Sequence, residues 1–276
     1  MTVGGFGLSA GALKRVATSV VVIPLFVWMV TRARGWVFVL FVVALGAAAL
    51  WELVRMFEGA GQPVYRRLGV ALGMIVTASF ALPAGTILPA LVLGLAVAAL
   101  LSAPVWSGGP SAMEGIALTL VGLMYVSWFL GHVLWLHRRS DGDDLVLFLV
   151  AVTWVGESAA YVVGSTVGRH PLAPSISPRK TIEGAAAQLA ASAVAAVAFA
   201  AWLLPEWTGS RAVVAGGLLG VVGQVGDLAE SVMKRSAGVK DTGGLIPGHG
   251  GVLDRIDGLL FNAPALYYYV TLRGAS

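Results

Sequence analysis

The residues best equipped for chemistry crowd into Ser231 to Gly258, SVMKRSAGVKDTGGLIPGHGGVLDRIDG. Carboxylates at Asp241, Asp254 and Asp257 can hold a divalent cation, and Lys234, Arg235, Lys240 and Arg255 can hold phosphate. The glycines, Gly250 and Gly251 among them, let backbone N–H groups approach an anion. Together these describe phosphoryl transfer. A solvated loop between two helices is the plain alternative. It gives no reason for two glycines to be followed by Asp254, Arg255 and Asp257 as the chain re-enters an apolar run. His249 fits either a phosphate donor or proton carrier, or a simple turn residue.

Two helical faces upstream carry further acids. Gln224, Asp227, Ser231 and Lys234 are spaced by three, four and three, so they share one face. Asp227 sits about two turns inside an apolar run, where a carboxylate is costly unless it is paired, faces a wet cavity or binds a cation. Lys234 or Arg235 could supply the pairing. Asp254 and Asp257 can also approach Asp227 across the loop, and two or three carboxylates there suit Mg2+. Trp154, Glu157, Tyr161 and Gly164 repeat the spacing, with Glu157 at a similar depth, and two acids at one depth argue for a polar cavity. Between the two faces, GRHPLAPSISPRKTIEG offers the hydroxyls of Ser175, Ser177 and Thr181 and the charges of Arg179 and Lys180, suited to a polyphosphate. His132, His137 and His170 lack acidic partners at metal-ligand spacing and read as interfacial. Neither GxxxxGK[ST] nor a GxGxxG after a strand is present, so soluble nucleotide folds are not indicated.

These residues must be positioned by membrane helices. The chain has 276 residues, 58% hydrophobic and 12% charged, with mean hydropathy +0.85. A soluble domain would carry about a quarter charged residues. Apolar runs at roughly 16–31, 36–57, 68–83, 86–103, 116–137, 145–167, 185–204, 211–233 and 257–272 predict an all-α, polytopic bundle of about nine helices. Residues 1–115 supply N-terminal helices with little chemistry; Glu52, Arg55 and Glu58 there read as interfacial pairs. Residues 116–276 form the catalytic region. A cytoplasmic N-terminus places twelve of the 18 Lys and Arg inside, with both polar segments, 168–184 and 234–257. The net charge of +4 reads as anchorage to anionic lipid, and nucleic acid is not expected as a partner. The absence of cysteine excludes disulfides and thiolate metal ligands.

The segment from Ser231 to Asp257 resembles the signature of the phosphatidate cytidylyltransferase (CDP-diacylglycerol synthase) family. Ser231, Lys234, Arg235, Lys240, Asp241, Gly243, Pro247, His249, Gly250, Gly251, Asp254, Arg255 and Asp257 all fit it, and QVGDLAES and SISPRKTIEG extend the likeness over residues 150–260. The family usually has Asp in a W-x-x-D-x-x-A-Y pattern where this chain has Glu157, so Glu157 as a direct ligand stays open.

The resemblance implies transfer of CMP from CTP to phosphatidate, giving CDP-diacylglycerol and pyrophosphate with Mg2+ in an inner membrane. CTP, phosphatidate and membrane lipid are the expected partners. A second cation and a homodimer are left open. Both reactants are anions, so charge neutralisation and in-line positioning are the main requirements. Asp227, Asp254, Lys234, Lys240 and His249 are the expected catalytic residues. Asp227 and Asp254 are the main expected metal ligands, with Asp257, Asp241 and Glu157 beside them. Ser177, Arg179, Lys180, Ser231, Arg235, Gly250, Gly251 and Arg255 are expected to bind substrate. The rival reading is a transporter moving cations past Glu157 and Asp227, but no inverted repeat supports it.

Overall fold

Backbone polar groups in a bilayer must satisfy one another within a segment, so the apolar runs fold as helices. The computed structural model describes residues 10–107, 112–243 and 250–274. Among these stand α1 (Ala10–Thr31), α2 (Gly35–Gly59), α3 (Arg66–Ser79), α4 (Leu88–Ser107), α5 (Ala112–His137), α6 (Gly142–Thr166), α7 (Ile182–Leu203), α8 (Gly209–Ser236) and α9 (Leu253–Gly274). Six of them, α2 and α4 to α8, are long and apolar enough to cross a membrane, as a multi-pass membrane protein requires. The expected all-α bundle is the observed architecture, although α3, at 14 residues, is too short to cross.

Within α5 the backbone widens into a π turn over Leu123–Trp128. The Ser127 carbonyl there accepts from Thr77 Oγ1 of α3 at 3.2 Å. Such turns free a carbonyl from the helical ladder, and here a neighbouring hydroxyl takes it.

Helices α6, α7, α8 and α9 pack in chain order, and the second half of α5 closes against α9. Small residues make the close approach possible. A Cβ on Gly216 would lie 2.5 Å from the Ser192 carbonyl and 2.6 Å from Ala196 Cβ, and one on Gly156 would overlap Ser192 Oγ. Ser192 of α7 is thus gripped between bare patches of α6 and α8.

The polar segment 168–184 is a hairpin with a helix start, where the sequence suggested only a loop. β1 (Pro171–Ala173) pairs antiparallel with β2 (Ser177–Thr181), matching Pro171 to Thr181 and Ala173 to Ser177. Thr181 Oγ1 accepts from Gly184 N and caps α7. Glu183 accepts from the N–H groups of Arg169 and His170, while its other oxygen meets His170 Nδ1 at 2.6 Å.

Two histidines gain acidic partners, and the third departs from the interfacial reading by burial. His170 has an acidic partner in Glu183, and His137 has one in Asp143 at 3.2 Å, reached across a turn. His132 is fully buried among Phe80, Trp128, Trp135, Tyr267 and Tyr268.

Two neighbouring glycines test the packing account. Gly216→Val places bulk against the α7 backbone and is expected to lower stability in detergent by about 1–3 kcal/mol. Gly217, whose Cβ would meet only Leu189 Cδ1 at 4.0 Å, should accept valine with little change in Tm. Equal losses at the two positions would refute the close-packed seam.

Candidate functional site

Helix α8 brings the polar residues to one place. Asp227, Glu230, Ser231 and Lys234 follow one another along its inner face, and Glu230 has no solvent exposure. Lys234 Nζ lies 2.5 Å from Glu230 Oε2 and 3.0 Å from Asp254 Oδ1, joining α8 to the first turn of α9. The other Asp254 oxygen accepts from Gly251 N at 3.1 Å and Thr242 N at 3.3 Å. Gly250 adopts φ +84°, a conformation that glycine enters freely, as the chain turns into α9.

From the other side the hairpin reaches in. Lys180 Nζ sits 2.7 Å from Asp227 Oδ1. Arg235 donates through Nε to the Ile176 carbonyl and through Nη1 to the Val239 carbonyl, both at 3.1 Å, so it braces the hairpin tip against the end of α8.

Asp227, Glu230 and Asp257 offer carboxylate oxygens within 4.8 Å of one another. Glu230 Oε1 is buried and has no hydrogen-bond partner among the described residues, and an all-oxygen donor set is what Mg2+ takes. The residues fit a hard divalent cation. Asp254, by contrast, spends its oxygens on Lys234 and two backbone N–H groups.

Two cavities meet here. An acidic chamber of about 320 Å³ is lined by Glu157, Asp227, Asp241, Asp254 and Asp257, against Lys234 and Arg255, with Gly250 at its edge. A larger cleft of about 570 Å³ runs beneath the hairpin, past Tyr161, Gly164, Leu172, Arg179, Lys180, Gln188, Gln224 and Leu228. Glu157 and Asp227 belong to both. Glu157 reaches this seam because Gly258 of α9 is bare; a Cβ there would overlap Glu157 Oε1. A charged chamber joined to a cleft with mostly apolar walls can hold a polyanion against a lipid headgroup.

The structure thus gathers Glu157, Arg179, Lys180, Asp227, Lys234, Asp241, Gly250, Asp254, Arg255 and Asp257 around the two cavities. Ser177, at the start of β2, and Ser231, buried on α8, line neither. Gly251 lies behind Asp254, and Lys240 is exposed at the loop surface. His249 falls outside the described residues. The sequence reading missed Glu230, although it sits three residues after Asp227 and four before Lys234. Glu52 also departs from expectation. Glu58 does pair with Arg66 near the surface, but Glu52 is 3% exposed and accepts from Leu253 N at 3.0 Å.

Comparison with known proteins gives the chain a family. The cytidylyltransferase family matches over residues 13–273. The phosphatidate cytidylyltransferase of Brucella suis is 38% identical over 263 residues, 92% of each chain. That of Synechocystis is 44% identical over 142 residues, covering 50% of this chain and 47% of its own. The uncharacterised protein YnbB of Escherichia coli is 40% identical over 156 residues, covering 56% and 51%. The matched region thus spans about half the length of the last two relatives.

Glu230→Gln keeps the side chain's shape and removes one charge from the triad. Mn2+ binding to purified protein, followed by electron paramagnetic resonance, is expected to weaken about 10-fold or more, since one charge near a divalent cation outweighs ~1.4 kcal/mol in a half-buried site. Unchanged affinity would remove Glu230 from the ligand set.

Proposed function

We propose, from the premise that the chain belongs to the cytidylyltransferase family, that it transfers CMP from CTP to phosphatidate, releasing pyrophosphate and leaving CDP-diacylglycerol in the membrane. The single observation that carries the reading is the seam at Glu157 and Asp227, where the acidic chamber opens into the mostly apolar cleft under the hairpin. One substrate is a water-soluble triphosphate and the other is a lipid, so the reaction needs a site with one wall of each kind.

A phosphate oxygen of the lipid attacks the α-phosphorus of CTP, and the bond from that phosphorus to the bridging oxygen of the leaving pyrophosphate breaks. The nucleophile is already an anion near neutral pH, so a strong general base is not required. The work lies in bringing two anions together in line. Lys180 and Arg179 stand over the cleft and take phosphate charge, with Arg255 on the chamber side. Lys234, held between Glu230 and Asp254, ties the buried Glu230 to Asp254 at the chamber wall. Asp227, Glu230 and Asp257 would hold Mg2+, which when bound supplies charge neutralisation and Lewis acidity at the phosphates.

The active site is assigned to the cytoplasmic face of an inner membrane. CTP is available there, and the basic residues around the two cavities, Arg179, Lys180, Lys234 and Arg255, belong on the side that favours positive charge.

Purified protein given labelled CTP and phosphatidate is expected to form CDP-lipid and pyrophosphate in equal amounts. Asp227→Asn should lower turnover about a thousandfold while the protein stays folded, in the range of other preorganised charges at transferring groups. Absence of CDP-lipid from the wild type, or near-normal turnover of Asp227→Asn at saturating Mg2+, overturns the reading.

Lys180→Ala removes a cation from the cleft and is expected to raise KM for CTP or for phosphatidate about 10-fold or more, the loss of one charge-assisted contact. Kinetic constants unchanged for both substrates would remove Lys180 from the phosphate site.

A further inference from the structure

Glu52 is a buried acid that the site's chemistry does not use. It lies on α2, far from the signature segment in sequence, between the fully buried Leu50 and Leu53. An apolar side chain would fill such a place at lower cost, because a desolvated carboxylate needs donors around it. Its Oε2 accepts from Leu253 N, the first residue of α9. A negative charge at a helix start also suits the helix dipole. Its Oε1 is buried without a hydrogen-bond partner among the described residues.

Two glycines make room for it. A Cβ on Gly243 would lie 2.7 Å from Glu52 Oε1. One on Gly251 would lie 2.8 Å from Glu52 Oε2, 2.5 Å from Thr242 Oγ1 and 2.9 Å from Asp254 Oδ2. The limb that enters the loop and the limb that leaves it are therefore both stripped of side chains where they close on one carboxylate. The same limbs carry the Thr242 and Gly251 N–H groups that hold Asp254.

We propose that Glu52 is a positioning residue, a strut from α2 that clasps both limbs of the signature loop and fixes the start of α9. Asp254 is thereby presented to Lys234, and Lys234 to Glu230. Glu52 touches no reacting atom; it acts through the loop. The inference rests on the proposed reading of the site only for its activity readout.

Glu52→Leu keeps the bulk and removes the acceptor, and Glu52→Gln keeps an acceptor oxygen. In Glu52→Leu the Leu253 amide is expected to exchange with deuterium about 10- to 100-fold faster, the scale of one hydrogen bond to a charged group, while α6 and α7 exchange as in the wild type. Turnover should fall about 10-fold or more with KM for CTP little changed, because the alignment of Asp254 and Lys234 is what is lost. Glu52→Gln should restore both within about 3-fold. Leu50→Ala, a cavity on the same helix, should lower Tm without selective loosening of Leu253. Wild-type exchange at Leu253 in Glu52→Leu overturns the proposal. So does loosening spread evenly over all helices, or equal damage from Leu and Gln. If the wild type makes no CDP-lipid, the functional reading falls, and the exchange data still decide the role of Glu52.

Discussion

The ammonium of Lys234, 13% exposed between a fully buried Glu230 and an 11% exposed Asp254, is the contact on which the rest of the site depends. Removing one partner from a buried ion pair costs about 3–5 kcal/mol, because the other charge is left without compensation. That penalty gives α8 and α9 a fixed register. Everything else is set from this register: Asp227 one turn before Glu230, Asp257 one turn after Asp254, and the loop whose N–H groups complete Asp254. Lys234 is the cation shared by this pair of acids. Acids outnumber the cations that line the chamber, Glu157, Asp227, Asp241, Asp254 and Asp257 against Lys234 and Arg255.

Placing so many charges at membrane depth requires helices that approach closely, so that lipid is kept away from the acids. The bare seam of Gly156, Gly216 and Gly220 around Ser192 does this without large side chains. The hairpin performs the matching task at the rim. Its ladder satisfies backbone groups beside the bilayer, and Lys180 is carried in toward Asp227. Arg235, expected to bind substrate, holds the tip through two carbonyls, using two of its five N–H donors on architecture.

The helices were legible in the sequence because a bilayer leaves a long apolar run few other options, and nine apolar runs correspond to nine helices among the described residues. The gathering of Asp227, Asp257, Lys180 and Glu157 was foreshadowed by spacing and by depth. Glu230 was not singled out. In QVGDLAES it looks like an ordinary interfacial acid, and its burial depends on helices distant in sequence. Glu52 escaped for a stronger reason: its partner is 201 positions away, and no local pattern encodes a contact of that range. The short strands were missed because SISPRKT lacks the alternation that marks a half-buried strand. The acids beside His137 and His170 lie across turns, where metal-ligand spacing does not look.

The meeting of Glu157 and Gly258 has a consequence for heredity. The carboxylate of Glu157 occupies the space that a methyl group at 258 would need, so the two positions, about a hundred residues apart, form one lock. Shortening the acid to aspartate relieves that overlap and leaves Thr153 Cγ2, 3.3 Å away, as the nearest neighbour of a methyl group at 258, whereas alanine beside glutamate requires the end of the Glu157 side chain to move. A change at either position therefore alters what the other tolerates, and glycine at 258 is what lets the longer acid stand where it does.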